Sequence, residues 1–237
     1  MGLENRVAVI TGATGNLGRV VAKYFAEQGA RLALFGTNAE KLETLARKLN
    51  LPAGRVLKHI VDLRNTEATK AAANAVMAKF GRVDILLNLV GGWTGGKPVG
   101  EFVAREVDEM LQQHLWTTFH LAQAFVPHLV ANHWGRVIVI SSPTATHPPA
   151  HASPYAIAKA AQEALMLTLA QELKNSGVTA NILQVKTIDA QHERDRERTP
   201  KTAAWTTPEE IAATILYLCS EEAQVVNGAR IPLYGAP

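Results

Sequence analysis

The chain has 237 residues, of which 47% are hydrophobic and 19% are charged. This length and balance suit one large globular domain and exclude a disordered chain. The net charge of +3 is scattered along the sequence, so we expect no nucleic-acid partner. The single cysteine, Cys219, excludes an internal disulfide framework and is expected to pack in the core.

The first residues contain no apolar signal core before the first predicted strand, and we therefore expect a cytoplasmic protein. Arg6 occupies the position where a myristoylation signal requires Ser or Thr, and no apolar run is long enough to cross a bilayer. We accordingly predict that the protein has no membrane partner. We also predict no metal site.

Residues 7–10 predict a first buried strand, and the glycine-rich stretch 11–18 leads from it into a helix that ends at about residue 28. A glycine turn between a strand and a helix is typical of a dinucleotide site. Gly12 would permit the tight turn, Gly15 would let the backbone approach a pyrophosphate, and Gly18 would let the helix pack on the strand. The helix N-terminus would attract the anion. The residues predicted to contact the cofactor here are Gly12, Thr14, Gly15, Asn16, Leu17 and Gly18.

The end of the second strand, predicted at 31–35, indicates which dinucleotide is bound. A carboxylate there would bind the ribose 2′-hydroxyl and repel a 2′-phosphate. The sequence has no acid at this point, and its cofactor-binding candidates are Gly36, Thr37 and Asn38. With Arg19 and Lys41 expected nearby, we predict that NADP(H) is favoured over NAD(H). The polar pair 37–38 could also cap the next helix, predicted at 39–49, and the two roles are compatible.

Two further strands complete the first half of the sheet. The third, at 56–61, ends at Asp62 and Leu63, and the Asp62 carboxylate is expected either to accept the adenine amino group or to cap the helix at about 66–80. The fourth, at 83–87, leads into a second group of cofactor candidates, which are Asn88, Val90 and Gly91. Because strands and helices alternate, we predict an α/β fold: a doubly wound, Rossmann-type parallel sheet of about seven strands with helices on both faces. One domain is expected to span residues 1–237.

The stretch 136–159 carries the candidate chemistry. An apolar strand at 137–140 is followed by Ser142, and a proline-rich loop then leads to Tyr155 and Lys159. The spacing of Tyr155 and Lys159 places them on one face of a helix. An ammonium beside a phenol should lower the pKa of the phenol, which makes Tyr155 a candidate general acid and base, with Ser142 binding the same substrate oxygen. The alternative is a solvated pair on a helix surface.

Taken together and in this order, these motifs resemble the short-chain dehydrogenase/reductase family. The resemblance covers nearly the whole chain and rests on Thr11-Gly12 with Gly15 and Gly18, Asp62, Asn88-Leu89-Val90-Gly91, Ser142 with Tyr155 and Lys159, and Val226-Asn227-Gly228-Ala229-Arg230-Ile231. It implies an NAD(P)(H)-dependent oxidoreductase that interconverts a carbonyl and a secondary alcohol by hydride transfer. Tyr155 would exchange a proton with the substrate oxygen, Ser142 would hydrogen-bond that oxygen, and Lys159 would lower the tyrosine pKa and bind the nicotinamide ribose.

The resemblance also implies an assembly and a lid. Family members of this size usually form homo-oligomers, so we expect a tetramer or a dimer that associates through long helices predicted at 104–131 and 153–176. A substrate lid is expected at about 187–205, although the charges of this segment are also typical of a solvated helix. A helix at 207–220, a strand at 230–233 and a short tail at 234–237 are predicted to complete the chain.

Two departures from the family pattern bear on catalysis. His114 stands where the family has a fourth catalytic residue, an asparagine that holds a water next to the lysine. An imidazole can donate and accept, so His114 could hold the same water, and beside an ammonium it should resist charging. Val185 and Lys186 replace the Pro-Gly pair that borders the nicotinamide in the family. The alternative function is therefore a dinucleotide-binding sensor or regulatory protein with weak or no turnover.

The substrate is expected to be a small-molecule carbonyl or alcohol. Three tryptophans among the pocket candidates favour an apolar or ring-bearing compound, although any of them could instead belong to the core. The pocket candidates are Trp93, Trp116, His147, His151 and Trp205.

Overall fold

The computed structural model describes residues 2–234. Its strands are β1 (Val7–Thr11), β2 (Arg31–Gly36), β3 (Val56–Ile60), β4 (Ile85–Asn88), β5 (Gly135–Ser141), β6 (Val178–Gln184) and β7 (Arg230–Pro232). They form one seven-stranded sheet in the order β3-β2-β1-β4-β5-β6-β7, and every neighbouring pair is parallel. This confirms the predicted doubly wound sheet. The strand order reverses between β1 and β4, and the crevice outside their carboxyl ends is where such folds bind ligands.

Helices cover both faces of the sheet. They are α1 (Asn16–Glu27), α2 (Ala39–Leu49), α3 (Thr66–Phe80), α4 (Ala104–Leu111), α5 (Thr117–Ala131), α6 (Ser153–Glu172), α7 (Glu193–Arg196) and α8 (Pro208–Leu218). A π-helical turn, Gln112–Trp116, joins α4 to α5, and short 3-10 turns occur at Ala53–Arg55, Val99–Glu101 and Pro143–Ala145. Within residues 2–234, no helix combines the length and apolarity that a bilayer span requires.

The apolar side chains form two cores, one on each face of the sheet. Ala8 and Ile10 of β1 pack with α1 and α8, whereas Val7 and Val9 of the same strand pack with α3, α5 and α6. This alternation follows the two-residue period of a strand. Because both faces are covered, the central strands β1 and β4 consist almost wholly of apolar residues. Cys219 belongs to the first core, as expected.

Asparagine caps set where two of the helices begin. The Asn38 side chain accepts the Lys41 N–H at 2.8 Å, and the Asn65 side chain accepts the Ala68 N–H at 2.8 Å. The first bond confirms the expected cap of α2. The second shows that the alternative role of Asp62 as the cap of α3 is wrong, because Asn65 lies directly before the helix and takes that place.

Several element boundaries differ from the prediction. β4 begins at Ile85 instead of residue 83, because the Asp84 carboxylate accepts the Val7 N–H at 2.8 Å in place of a backbone carbonyl. α6 ends at Glu172 instead of residue 176, and α8 ends at Leu218 instead of residue 220. The predicted helix at 104–131 is interrupted by the π-turn. Residues 235–237 of the predicted tail lie outside the described residues.

Candidate active site

The glycine turn between β1 and α1 leaves no room for a side chain at Gly12 or Gly18. Gly12 has a φ of 60°, in the left-handed region, and a Cβ there would lie 3.1 Å from the backbone of Leu89. A Cβ at Gly18 would lie 2.2 Å from the carbonyl oxygen of Gly12. Gly15 is the N-cap residue of α1, and N–H groups of a first helical turn have no partner within the helix. The turn therefore offers the close approach and the donors that a pyrophosphate needs.

Three cavities follow one another along the carboxyl edge of the sheet. The first, about 520 Å³, extends from the glycine turn to the ends of β2 and β3, and the second, about 620 Å³, extends from the same turn to α6. Their shared lining residues are Gly12, Gly15, Leu89, Val90 and Gly91. The third, about 420 Å³, adjoins the first at Thr14 and the second at Asn16. These shared walls make one groove, whose size suits an extended dinucleotide.

The predicted cofactor residues are distributed along this groove. The first cavity is lined by Gly12, Thr14, Gly15, Gly36, Thr37, Asp62, Leu63, Val90 and Gly91. The second is lined by Gly12, Gly15, Asn16, Leu17, Gly18, Val90, Gly91, Tyr155 and Lys159. Asn38 lines the third. Asn88 is buried instead, and its side chain accepts the Thr11 hydroxyl at 2.9 Å and donates to the Thr118 hydroxyl at 2.8 Å.

Asp62, the adenine candidate, is paired with an arginine that the sequence analysis did not identify. Arg64 donates to the Asp62 carboxylate through Nη2 at 2.6 Å and through Nε at 2.9 Å. This pairing holds the pKa of the Asp62 carboxyl below its usual range. The ionised carboxylate still has acceptor sites beyond those that Arg64 uses. Arg64 lines the same cavity. Because it lies only two residues after Asp62 in the sequence, the pairing of these two side chains could have been predicted.

The third cavity carries an excess of positive charge beside the end of β2. Its charged lining residues are Arg19, Lys41, Lys48 and Glu40. The cavity lies close to Gly36, because a Cβ at Gly36 would be 3.6 Å from the Thr14 hydroxyl, and Thr14 lines both this cavity and the first. Three cations against one acid favour an anion at this position.

Ser142 and Tyr155 line the second cavity together. Ser142 follows β5 and accepts the Thr144 N–H at 3.3 Å, which starts a 3-10 turn. Tyr155 lies in the first turn of α6. Burial raises the pKa of Tyr155, and the nearby Ser142 hydroxyl offsets only part of that effect. The phenol is therefore protonated at neutral pH.

The prediction that Lys159 lowers the tyrosine pKa is wrong. The Lys159 Nζ lies 5.8 Å from the centroid of the Tyr155 ring and donates elsewhere. It donates to the Ile140 carbonyl at 2.7 Å and to Gln162 Oε1 at 2.9 Å. Burial lowers the pKa of Lys159 to about 7. Lys159 is only 3% exposed, which also rules out a solvated pair on the helix surface.

His114 is fully buried in the π-turn and lines the second cavity. Its Nε2 lies 3.1 Å from the Gly92 carbonyl oxygen, which can only accept, so Nε2 carries the hydrogen. Nδ1 is then an acceptor, and it has no partner among the described residues. Burial and the nearby Lys159 lower the pKa of His114 to about 3, so the ring resists charging as expected. Its edge packs against Tyr155, with ring centroids 5.5 Å apart.

The π-turn lets two consecutive side chains hold one loop. Gln113 Nε2 donates to the Gly91 carbonyl at 3.0 Å, while His114 holds Gly92. A π-turn inserts one extra residue into the helical course and is frequent at functional sites. The prediction of a regular helix missed it. The sequence feature that could have indicated this irregular turn is the pair of threonines that follows it, Thr117 and Thr118. Their hydroxyls donate to the carbonyls of residues 113 and 114 at 2.7 Å and 2.6 Å.

Of the five pocket candidates, only Trp93 is among the residues lining the second cavity, and it is 63% exposed. Trp116 packs on the ring of Phe119. His147 and His151 are exposed, with His147 Nδ1 at 3.0 Å from the Thr146 hydroxyl. Trp205 is half-buried, and its ring lies near Lys201. The lining residues that the sequence analysis did not propose as pocket candidates include Ile140, Thr144, Thr187 and Ile188.

The loop after β6 forms another wall of the second cavity. Val185 and Lys186, which replace the family's Pro-Gly pair, both line it. The Val185 N–H donates to the Ser141 carbonyl at 3.0 Å, so the loop stays joined to β5. The segment 187–205 is tied down at both ends, because the Thr206 N–H donates to the Thr187 carbonyl at 3.0 Å.

Comparison with known proteins identifies the family. The short chain dehydrogenase family model matches residues 6–201. The chain belongs to the short chain dehydrogenase family. The match includes the glycine turn, Ser142, Tyr155 and Lys159.

Named relatives agree with this assignment. The (2S)-[(R)-hydroxy(phenyl)methyl]succinyl-CoA dehydrogenase subunit BbsD of Thauera aromatica is 32% identical, over 96% of this chain and 94% of that protein. D-threitol dehydrogenase of Mycolicibacterium smegmatis is 29% identical, over 98% of this chain and 93% of that protein. The crystal structure of L-sorbose reductase from Gluconobacter frateurii, complexed with NADPH and L-sorbose, is similar with a TM-score of 0.88 and 27% identity, over 100% of this chain and 98% of that chain. These relatives support a dehydrogenase or reductase role.

Proposed function

We propose that this short chain dehydrogenase interconverts a small-molecule carbonyl and a secondary alcohol with NADP(H). The observation that carries the proposal is the second cavity, in which Ser142, Tyr155 and Lys159 meet the glycine turn. The side-chain-free turn at Gly12 and Gly18 fits a pyrophosphate. A bound nicotinamide would supply or accept the hydride.

The residues of the cavity handle the proton and the substrate oxygen. Ser142 binds the oxygen, and Tyr155 donates its proton to the alkoxide that forms during carbonyl reduction. In the reverse direction Tyr155 removes the proton from the alcohol. Because burial raises the Tyr155 pKa, the phenol is in the protonated form that reduction requires at neutral pH. Lys159 provides a buried amine beside the site that is partly charged at neutral pH, in reach of a cofactor ribose in the family's arrangement.

The preference for NADP(H) over NAD(H) is supported by the third cavity. Arg19, Lys41 and Lys48 line it, and Gly36 places no carboxylate against a 2′-phosphate. The L-sorbose reductase to which the chain is similar is complexed with NADPH.

His114 is proposed to serve as a neutral acceptor in place of the family's asparagine. The Gly92 carbonyl fixes the Nε2–H tautomer, and Nδ1 is a buried acceptor without a partner among the described residues. An asparagine offers one oxygen acceptor and one amide donor, and the imidazole offers the same pair through its two nitrogens. A water that links Lys159 to solvent is the expected donor to Nδ1.

The remaining proposals concern the lid, assembly and location. The segment 187–205 is proposed to close over the substrate, since Thr187 and Ile188 line the second cavity. A homo-oligomer, a tetramer or a dimer, is proposed to form through α5 and α6, which expose Phe119 and Ile157. Light scattering at micromolar concentration should give a multiple of the 25.6 kDa chain mass. The cytoplasm is proposed as the location.

The deciding experiment follows NADPH absorbance with a panel of ketones. The parent protein should turn over at least one ketone, and Tyr155→Phe should reduce kcat by about a hundredfold or more, since it removes the proton donor. The matched control is Tyr217→Phe on α8, where the side chain is 50% exposed and outside the groove. NADPH dissociation constants for the parent and Tyr155→Phe should agree within a few-fold.

Two results would contradict the proposal. If Tyr155→Phe reduces ketones as fast as Tyr217→Phe, the phenol is not the proton donor. If the parent binds NADPH tightly and turns over no ketone or alcohol, the sensor or regulatory alternative is favoured instead.

A further inference from the structure

A buried glutamine holds the ammonium of Lys159. Gln162 lies three residues after Lys159 on α6 and has no exposed surface. Its Oε1 accepts a hydrogen bond from Lys159 Nζ at 2.9 Å, and its Nε2 donates to the Thr118 hydroxyl oxygen at 2.9 Å. We infer that Gln162 is a positioning residue that keeps Lys159 charged and fixed in the buried site. This inference rests on the proposed function, because it concerns the charge and position of the catalytic lysine.

The hydrogen-bond network allows the Gln162 amide only one orientation. The Thr118 hydroxyl donates its single hydrogen to the His114 carbonyl at 2.6 Å. The same oxygen can therefore only accept, and it does so from Gln162 Nε2 at 2.9 Å and from Asn88 Nδ2 at 2.8 Å. A flipped Gln162 would set its oxygen against an acceptor and its amide hydrogens against an ammonium. The oxygen is thus held toward Lys159.

The remaining donor of Lys159 is directed by the same contacts. An ammonium has three N–H donors, and two of them are engaged by the Ile140 carbonyl and Gln162 Oε1. Lys159 also lines the second cavity beside Tyr155. The third donor is the one available to that cavity. Loss of Gln162 would let the ammonium rotate and would remove a bond to its charged form.

Two other groups also stabilise that charge, the Ile140 carbonyl and the Glu163 carboxylate. The titratable groups that pack around Lys159 or share its cavity are His114 of the π-turn, Tyr155 and Glu163 of α6, and Lys186 after β6. His114 is neutral above a pH of about 3, and Tyr155 is protonated at neutral pH. Glu163 attracts the ammonium but is itself paired with Arg230 at 2.6 Å. Gln162 is therefore the side chain that directly accepts from Nζ.

The test measures the titration of Lys159 without any turnover. Lysine labelled with ¹³C at the ε position is followed by NMR across pH in the parent, Gln162→Met and Gln162→Glu, and Lys159→Met assigns the signal. Lysine is charged below its pKa, so loss of the acceptor in Gln162→Met should lower the midpoint by about one pH unit, whereas the carboxylate in Gln162→Glu should raise it. The alkaline limb of the kcat profile for ketone reduction should move in the same two directions.

The control is Asn181→Leu, which removes another buried amide whose Nδ2 donates to the Val226 carbonyl at 2.7 Å. It should lower the melting temperature and leave the Lys159 midpoint unchanged. Equal midpoints in the parent and both Gln162 variants would overturn the inference. If Gln162→Met does not fold, an unchanged midpoint in Gln162→Glu overturns it alone. Shifted midpoints in a protein that turns over no substrate would uphold the positioning role and refute the proposed function.

Discussion

A single carboxylate at position 36 should reverse the cofactor preference. Gly36 ends β2 and lies outside the left-handed region, so an L-residue fits its backbone. A Cβ there would lie 3.5 Å from Leu42 Cδ2 and 3.6 Å from the Thr14 hydroxyl, which are ordinary contacts. Gly36→Asp should therefore fold and place its charge where a 2′-phosphate is proposed to bind.

The size of the effect follows from Coulomb's law. Two unit charges about 5 Å apart interact by about 3 kcal/mol at the effective dielectric constant of a protein surface. The groove is open to water, and salt screens the pair, which leaves about 1 to 2 kcal/mol. We expect NADPH affinity to fall by about tenfold on this basis. NADH affinity should rise by a few-fold, because the carboxylate can accept the ribose 2′-hydroxyl.

Fluorescence titration of both cofactors at low and high salt provides the assay, with Gly36→Asn as a control of nearly equal shape and no charge. The Asp variant should lose more NADPH affinity than the Asn variant, and the difference should shrink as salt increases. Equal losses in the two variants would show that shape alone is responsible. A parent protein that binds NADH more tightly than NADPH would refute the reasoning.

Three further perturbations test the turn, the core and the histidine. Gly18→Ala should weaken NADPH binding by about tenfold or more, because the added Cβ would lie 2.2 Å from the Gly12 carbonyl oxygen. The control Gly54→Ala adds a Cβ with no atom within 4 Å and should leave NADPH binding unchanged. Arg136→Met should destabilise the fold by about 3 kcal/mol in urea unfolding, because the residue is 1% exposed and its guanidinium donates to the carbonyls of Leu218, at the end of α8, and Ser220; a loss below about 1 kcal/mol would contradict this. Between pH 7 and pH 4, the parent should lose about 3 kcal/mol more unfolding free energy than His114→Asn, because the unfolded His114 gains a proton near pH 6.5 and the folded one only near pH 3. Parallel pH curves for these two proteins would show that His114 is not held neutral.

Much of the architecture follows from local sequence patterns. The buried strands β1, β2 and β4 are mostly apolar runs, which a parallel sheet covered on both faces favours. The glycines at 12 and 18 lie so close to other backbone atoms that a Cβ would collide with them. A turn of this kind therefore requires glycine at these positions, and the glycine spacing in the sequence was enough to predict it. These features depend on a few adjacent residues, which is why they could be predicted without a structure.

Features that depend on distant residues were not predictable in the same way. The start of β4 is set by the Asp84 carboxylate, whose partner Val7 lies 77 positions earlier in the chain. The π-turn is stabilised by side chains that reach the loop at 91–92. Asp62 and Asn65 are both good caps by residue type, and only the path of the chain decided that Asn65 takes that role.

The pair Tyr155 and Lys159 shows why a correct spacing gave an incorrect pKa. The spacing brings both residues to one cavity, but it does not say which groups take the lysine donors. Ile140 and Gln162 take two of them, and Gln162 faces Lys159 only because Thr118 is already a donor to His114. The Tyr155 phenol is left with burial as the dominant influence, which raises its pKa. A protonated phenol is the form that donates a proton to an alkoxide. The burial that raises the Tyr155 pKa, where a lowered pKa was predicted, therefore suits the site to carbonyl reduction at neutral pH.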